Sequence, residues 1–152
     1  MNGEHQMSDD DLTRPPHARA LTVVDLMKSD VHTAAETDTL EEAHKFMRLA
    51  GVRHLPVVDA DDRMVGILSD RDLLVGWSQG RGTRVGELMS RYVKWVHPET
   101  SARDAAAQML RAKIGCLPVL DRDKKLVGIV TETDFLLVAH RALTIQQMVA
   151  EA

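Results

Sequence analysis

The sequence predicts a mixed α/β (α+β) fold in which one β-α-β-β-α unit is used twice, the copies packed about a pseudo-two-fold axis. Two observations predict it. Residues 66–72 read GILSDRD and residues 128–134 read GIVTETD, and the offset of 62 positions (66 to 128) holds without a gap from Val23/Val85 to Leu74/Leu136. Within each copy the apolar pattern changes from helical spacing to two short runs around a polar turn. A gap-free repeat of this length means one supersecondary unit built twice. A unit of roughly 50–60 residues buries too little surface alone, so the two are expected to share one core.

Residues 1–19 are polar, carry Asp9-Asp10-Asp11 and Pro15-Pro16, and read as a flexible tail. The first repeat spans residues 20–76. A short strand over Val31–Ala34 leads into a helix marked by Leu40, Ala43, Met47 and Ala50 at helical spacing. Thr39 sits at its N-cap position with Glu42 three residues on, as in a capping box. Leu55–Val58 and Met64–Leu68 flank the polar run Asp59–Arg63 and read as a β-hairpin, and a second helix begins near Ser69. Gly76, Gly80 and Gly82 mark a linker over 77–82.

The second repeat, 83–139, follows the same plan. It has a strand over Val93–Val96, then a helix through Ala102, Ala105, Met109 and Ala112 capped by Ser101 with Asp104. A hairpin of Leu117–Leu120 and Leu126–Val130 comes next, and a helix from Thr131 is extended by residues 140–152.

Composition limits the function. Among 152 residues the net charge is −4, which does not support a broad nucleic-acid surface. No apolar run is long enough to span a bilayer, and MNGEHQMSDDDLTRPPHARA has no apolar signal core, so a cytoplasmic location is the expectation. Cys116 is the single cysteine, which rules out an intrachain disulfide and reads as a small buried hydrophobe. His32, His44, His54 and His97 are scattered without metal-ligand spacing, so no metal site is expected. No Walker or dinucleotide fingerprint occurs, and Ser69 and Thr131 have no adjacent activating histidine. An enzyme is not expected.

The ordered set of Leu-Met, Leu-Pro-Val-(Val/Leu)-Asp, Val-Gly-Ile and Ser/Thr-x-x-Asp occurs in both copies. In this the chain resembles the cystathionine-β-synthase (CBS) domain, and the pair resembles a Bateman module over about residues 21–139. The resemblance implies a free-standing regulatory module that senses adenine nucleotides and requires no cofactor. It implies AMP, ADP or ATP as ligand, with magnesium accompanying a triphosphate, and S-adenosylmethionine or NAD as further members of the class. It implies a homodimer and a regulated protein partner, with neither nucleic acid nor membrane as partner. The competing reading is a constitutive dimerisation or interaction module with vestigial clefts.

The resemblance also implies two clefts, each joining the Ser/Thr-x-x-Asp of one repeat to the first strand and the residues before Leu-Pro-Val of the other. The first cleft would take Thr131 and Asp134 with Val31, His32, Thr33, Val52, Arg53 and His54. The second would take Ser69, Asp72 and Arg71 with Val93, Lys94, Trp95, Ile114, Gly115 and Cys116.

The chemistry of the motif suits such a ligand. A hydroxyl and a carboxylate three residues apart lie on one side of a helix's first turn. The carboxylate accepts from ribose hydroxyls, and the helix start favours phosphate. The same pair also makes a capping box, and one residue can do both. Arg53 and His54 single out the Thr131 cleft as the one to test first, with Lys94 supplying charge to the other. Trp95 reads as a base-stacking surface or as core packing, and Arg71 as a phosphate contact or a solvated surface residue. Gly66 and Gly128 permit close backbone approach.

Overall fold

The computed structural model describes residues 19–80 and 82–152. The expected tail falls, apart from Arg19, outside them. Ten elements follow in chain order: α1 (Val23–Leu26), α2 (Leu40–Ala50), β1 (His54–Val58), β2 (Met64–Ser69) and α3 (Asp70–Gln79), then α4 (Val85–Leu88), α5 (Ala102–Ala112), β3 (Cys116–Leu120), β4 (Leu126–Thr131) and α6 (Glu132–Ala150). β1 pairs with β2 and β3 with β4 as antiparallel hairpins. Asp59 and Asp121 close the two turns by accepting backbone N–H bonds, from Asp61 and Arg63 and from Asp123 and Lys125 respectively. The turns meet at a bridge between Arg63 and Lys125, which links the two hairpins.

The expected strands over Val31–Ala34 and Val93–Val96 shrink to single bridges. Ala34 bridges Val57 and Val96 bridges Val119, both parallel. Ala34 donates to the Pro56 carbonyl at 3.0 Å and accepts from Val58 N–H at 3.0 Å. The next rung of a parallel ladder would need an N–H from Pro56, which proline lacks. Pro118 blocks the other copy in the same way, beyond the bond from Val96 to its carbonyl. The proline of Leu-Pro-Val therefore ends the parallel strand after one residue.

The packed units do not coincide with the sequence repeats. Two apolar clusters form, rather than the one shared core expected. The first gathers Leu40, Ala43 and Met47 of α2, Leu55, Val57 and Leu68 of the hairpin, and Leu73 of α3. It is completed by Val85, Leu88 and Met89, which the second repeat sends across. The second cluster is completed in return by Val23, Leu26 and Met27. Val23 and Val85 are both 0% exposed in these exchanged positions. Backbone bonds fix the exchange: Val23 N–H donates to Thr100 O at 2.9 Å, and Val85 N–H donates to Asp38 O at 2.9 Å. Lys28 pairs with Ile129 on the outer side of β4, and Ser90 with Ile67 on the outer side of β2.

The exchange explains Gly66 and Gly128. A Cβ on Gly66 would stand 2.6 Å from Met89 Sδ and 2.9 Å from Ser90 O, and one on Gly128 would stand 2.6 Å from Met27 Sδ and 3.1 Å from Lys28 O. The close approach is to the exchanged segment of the other repeat. Gly76 is likewise not in a linker. It lies within α3, where a Cβ would meet Leu88 at 2.2 Å and Leu40 at 2.4 Å, so the helix continues through the expected break to Gln79.

Both predicted caps on the long first helices form, with one difference. Thr39 accepts from Glu42 N–H while Glu42 accepts from Thr39 N–H, a complete capping box. Ser101 accepts from Asp104 N–H at 3.0 Å, and no return bond from the Asp104 carboxylate accompanies it among the described residues.

Candidate functional site

Two hollows open between the units, each at the start of a helix that follows a hairpin. At α3, Asp72 Oδ2 accepts from Ser69 N–H at 2.7 Å and from Ser69 Oγ at 2.9 Å. At α6, Asp134 Oδ2 accepts from Thr131 N–H at 2.8 Å and from Thr131 Oγ1 at 3.2 Å. In each case the hydrogen bonds fall on one carboxylate oxygen. The chain just before each hairpin is tied to the same helix start: Asp70 N–H donates to Arg53 O and Glu132 N–H donates to Gly115 O, both at 3.0 Å.

The Thr131 cleft has a volume of about 550 Å³ and the Ser69 cleft about 570 Å³. Both fall within the usual range for small-molecule sites. The Thr131 cleft brings together Thr131, Val31, His32, Val52, Arg53 and His54. The Ser69 cleft brings together Ser69, Asp72, Arg71, Val93, Lys94, Ile114, Gly115 and Cys116.

Three expected residues lie elsewhere. Thr33 lines a separate hollow with Glu36 and Asp59, because the residue turned inward beside it is Ala34. Trp95 does not line the Ser69 cleft; its ring meets His97 edge-on, with centroids 4.8 Å apart. Asp134 is only 7% exposed and sits beneath Thr131 without lining the cleft. Asp72, its repeat mate, does line one.

The expected division of charge also changes. Arg53 and His54 line both clefts, as do Gly115 and Glu132, and so form the wall between them. The Ser69 cleft carries Arg53, Arg71, Lys94 and Lys113 against Asp70, Asp72 and Glu132. The Thr131 cleft carries Lys28 and Arg53 against Asp30 and Glu132, with His32 and His54 beside them. The richer set of permanent cations belongs to the Ser69 side.

Sequence reasoning missed Lys28, Asp30, Tyr92, Lys113 and Glu132. The repeat offset carried a signal for Lys113, because it aligns with Gly51 at the end of the first long helix. Both adopt the left-handed conformation there, Gly51 at φ 64° and Lys113 at φ 54°, so the lysine turns off the helix end beside Ile114. Tyr92 is 99% exposed at the cleft edge, and no apolar pattern marks it.

Burial holds the His54 imidazole below its ordinary range, against the pull of Asp70, Asp72 and Glu132. Burial pushes the Cys116 thiol up to about 12, with Glu132 adding to the effect. A thiol so held stays protonated and unreactive. Among the described residues no group of three or more His, Cys, Asp or Glu is placed to hold a metal ion. No described helix is long and apolar enough to cross a membrane.

The geometry has known parallels. The CBS domain family model matches residues 23–76 and 85–141. An acetoin utilization protein (AcuB) of Vibrio cholerae superposes with a TM-score of 0.77 at 36% identity, over 86% of this chain and 98% of that one. A CBS domain pair in complex with 5′-methylthioadenosine and S-adenosyl-L-methionine gives 0.77 at 27% identity, over 82% and 99%. CBSX2 in complex with AMP, a protein of Arabidopsis thaliana, gives 0.71 at 33% identity, over 83% and 98%. This chain belongs to the CBS-domain family and has the fold of a CBS domain pair. Curated relatives include much longer proteins: the chain spans 20–23% of the length of three homoserine O-acetyltransferases that are 30–32% identical to it.

Proposed function

We propose that this chain is a regulatory, non-catalytic module that binds an adenosine-containing ligand in the clefts between its two units. The observation that carries the reading is the doubled cleft. Each one sets a Ser/Thr-x-x-Asp helix start against the pre-hairpin segment of the other unit, with cations beside it. The free carboxylate oxygen of Asp72 is available to ribose hydroxyls. The start of α3 and Arg71, Lys94 and Lys113 favour phosphate. Family members solved with AMP, and with 5′-methylthioadenosine and S-adenosyl-L-methionine, support the ligand class. AMP, ADP and ATP are the first candidates, ATP with magnesium, and S-adenosylmethionine and NAD follow.

The module signals through a second copy and a regulated protein partner in the cytoplasm. Exposed apolar side chains support that association: Phe46, Leu49, Leu74 and Trp77 on α2 and α3, and Leu110, Leu136 and Leu143 on α5 and α6. Binding then acts by favouring one arrangement of the two units, which requires different affinity in the two states.

A second reading, a constitutive dimerisation module with vestigial clefts, is favoured on the Thr131 side by the withdrawal of Asp134 from the cleft. A thermal-shift series with AMP, ADP, ATP, NAD and S-adenosylmethionine separates the two. A ligand of the native state raises the melting temperature; a flat series supports the second reading. Product analysis after incubation with ATP tests the non-catalytic assignment, and nucleotide turnover would overturn it.

A further inference from the structure

We infer that Arg53, the one permanent cation among the described residues that lines both clefts, is a phosphate contact they share, so that a phosphorylated ligand in one weakens binding of a second in the other. The inference rests on the ligand reading above and assigns a regulation within that site. Arg53 lines both hollows. It is exposed, and neither ion pair among the described residues engages it, so its guanidinium is free to turn to either side.

The repeat shows what is missing. The position equivalent to Arg53 is Gly115, which lies on the same dividing wall. A symmetric molecule would place one arginine at each position and set two permanent cations on the dividing wall beside the cations that each cleft has to itself. Gly115 is not among the residues with positive φ, so the backbone there does not demand glycine. A Cβ at Gly115 would lie 3.5 Å from the Glu132 carboxyl carbon and 3.7 Å from His54 Cε1, both ordinary contacts. The single permanent cation on the wall therefore reflects residue choice at a site that accepts a side chain.

Two anions on either side of one wall also repel, while Glu132, facing both, disfavours an anion in either cleft whether or not the other is filled. A hydrogen bond to a charged group is the strong kind, so losing Arg53 to the neighbouring cleft lowers affinity about tenfold or more. Adenosine, which carries no phosphate, does not compete for the guanidinium.

Calorimetric titration of the whole chain with AMP and with adenosine tests this. Val93→Trp blocks the Ser69 cleft and Val31→Trp blocks the Thr131 cleft, giving each site's affinity with its neighbour empty. The expected result is that the weaker AMP site of the wild type binds about tenfold or more weakly than the same cleft in its single-cleft variant. The corresponding ratio for adenosine stays near one. Gly115→Arg, by supplying the second cation, brings the AMP ratio towards one. Arg53→Gln weakens AMP in both single-cleft variants and leaves adenosine unchanged, with folding checked by circular dichroism. An AMP ratio near one in the wild type, or an equal ratio for adenosine, overturns the sharing of Arg53 while leaving the ligand reading intact. Failure of both ligands to bind the wild type overturns both.

Discussion

At the residue scale, small differences between equivalent positions decide what each cleft can do. Gly66 and Gly128 are required by the exchanged segments, since a Cβ on either would press on a methionine sulfur and on a backbone carbonyl oxygen. The sulfur can move, but the carbonyls belong to Ser90 and Lys28, whose pairing closes the sheets. Gly66→Ala should therefore lose about 1–3 kcal/mol of stability in urea denaturation, the usual cost of overpacking. His54 gives a pH dependence. Its folded form resists protonation below the ordinary value of 6.5 because burial disfavours the cation. The unfolded chain takes up the proton first as pH falls, so this contribution is whole above about pH 6.5 and is lost on acidification towards the lowered folded value. The fall in melting temperature between about pH 7.5 and about pH 5.5 should be smaller in His54→Gln than in the wild type. The residues of the motifs were legible because the repeat displays each one twice. Trp95 was not, because nothing local distinguishes a side chain facing the cleft from one turned onto His97.

At the element scale, the hairpins and long helices follow from the apolar pattern, and the caps from Thr39, Ser101, Ser69 and Thr131. The parallel strands are shorter than the apolar pattern predicts, single bridges at Ala34 and Val96, because Pro56 and Pro118 stand in the partner strands. A proline in the partner strand removes an N–H that the neighbour needs, and a reading of each strand by itself does not count that loss. The exchange of α1 and α4 was hidden for a different reason. Repeat periodicity states which segments are equivalent, and it does not state which copy of a segment packs where. The exchange has a direct consequence. A fragment of residues 20–80 keeps a whole sequence repeat but lacks Val85, Leu88 and Met89 from its core. It should give a far-ultraviolet circular dichroism spectrum of a largely unfolded chain, and residues 20–90 should recover helical signal. In the full chain, Val85→Ala should lose on the order of 2 kcal/mol by cavity formation in a site that is 0% exposed.

At the scale of the whole molecule, the exchange couples the two units, and the clefts lie where they face each other. A ligand in either cleft touches segments from both repeats, so its binding free energy depends on their relative placement. That is the physical basis of the sensing role proposed above. On the proposed reading, the charge on the Ser69 side makes it the stronger phosphate site, with Lys94 contributed by the unit opposite Ser69 and Asp72. The most direct measurement is isothermal titration of the purified full chain with AMP, ADP, ATP and S-adenosylmethionine, with adenosine as the unphosphorylated control, repeated with Lys94→Ala. The account predicts saturable binding of at least one of them. It also predicts that a phosphorylated ligand loses on the order of tenfold or more in affinity in the variant while adenosine loses little. Absence of binding by all four, or equal loss for AMP and adenosine, would contradict it.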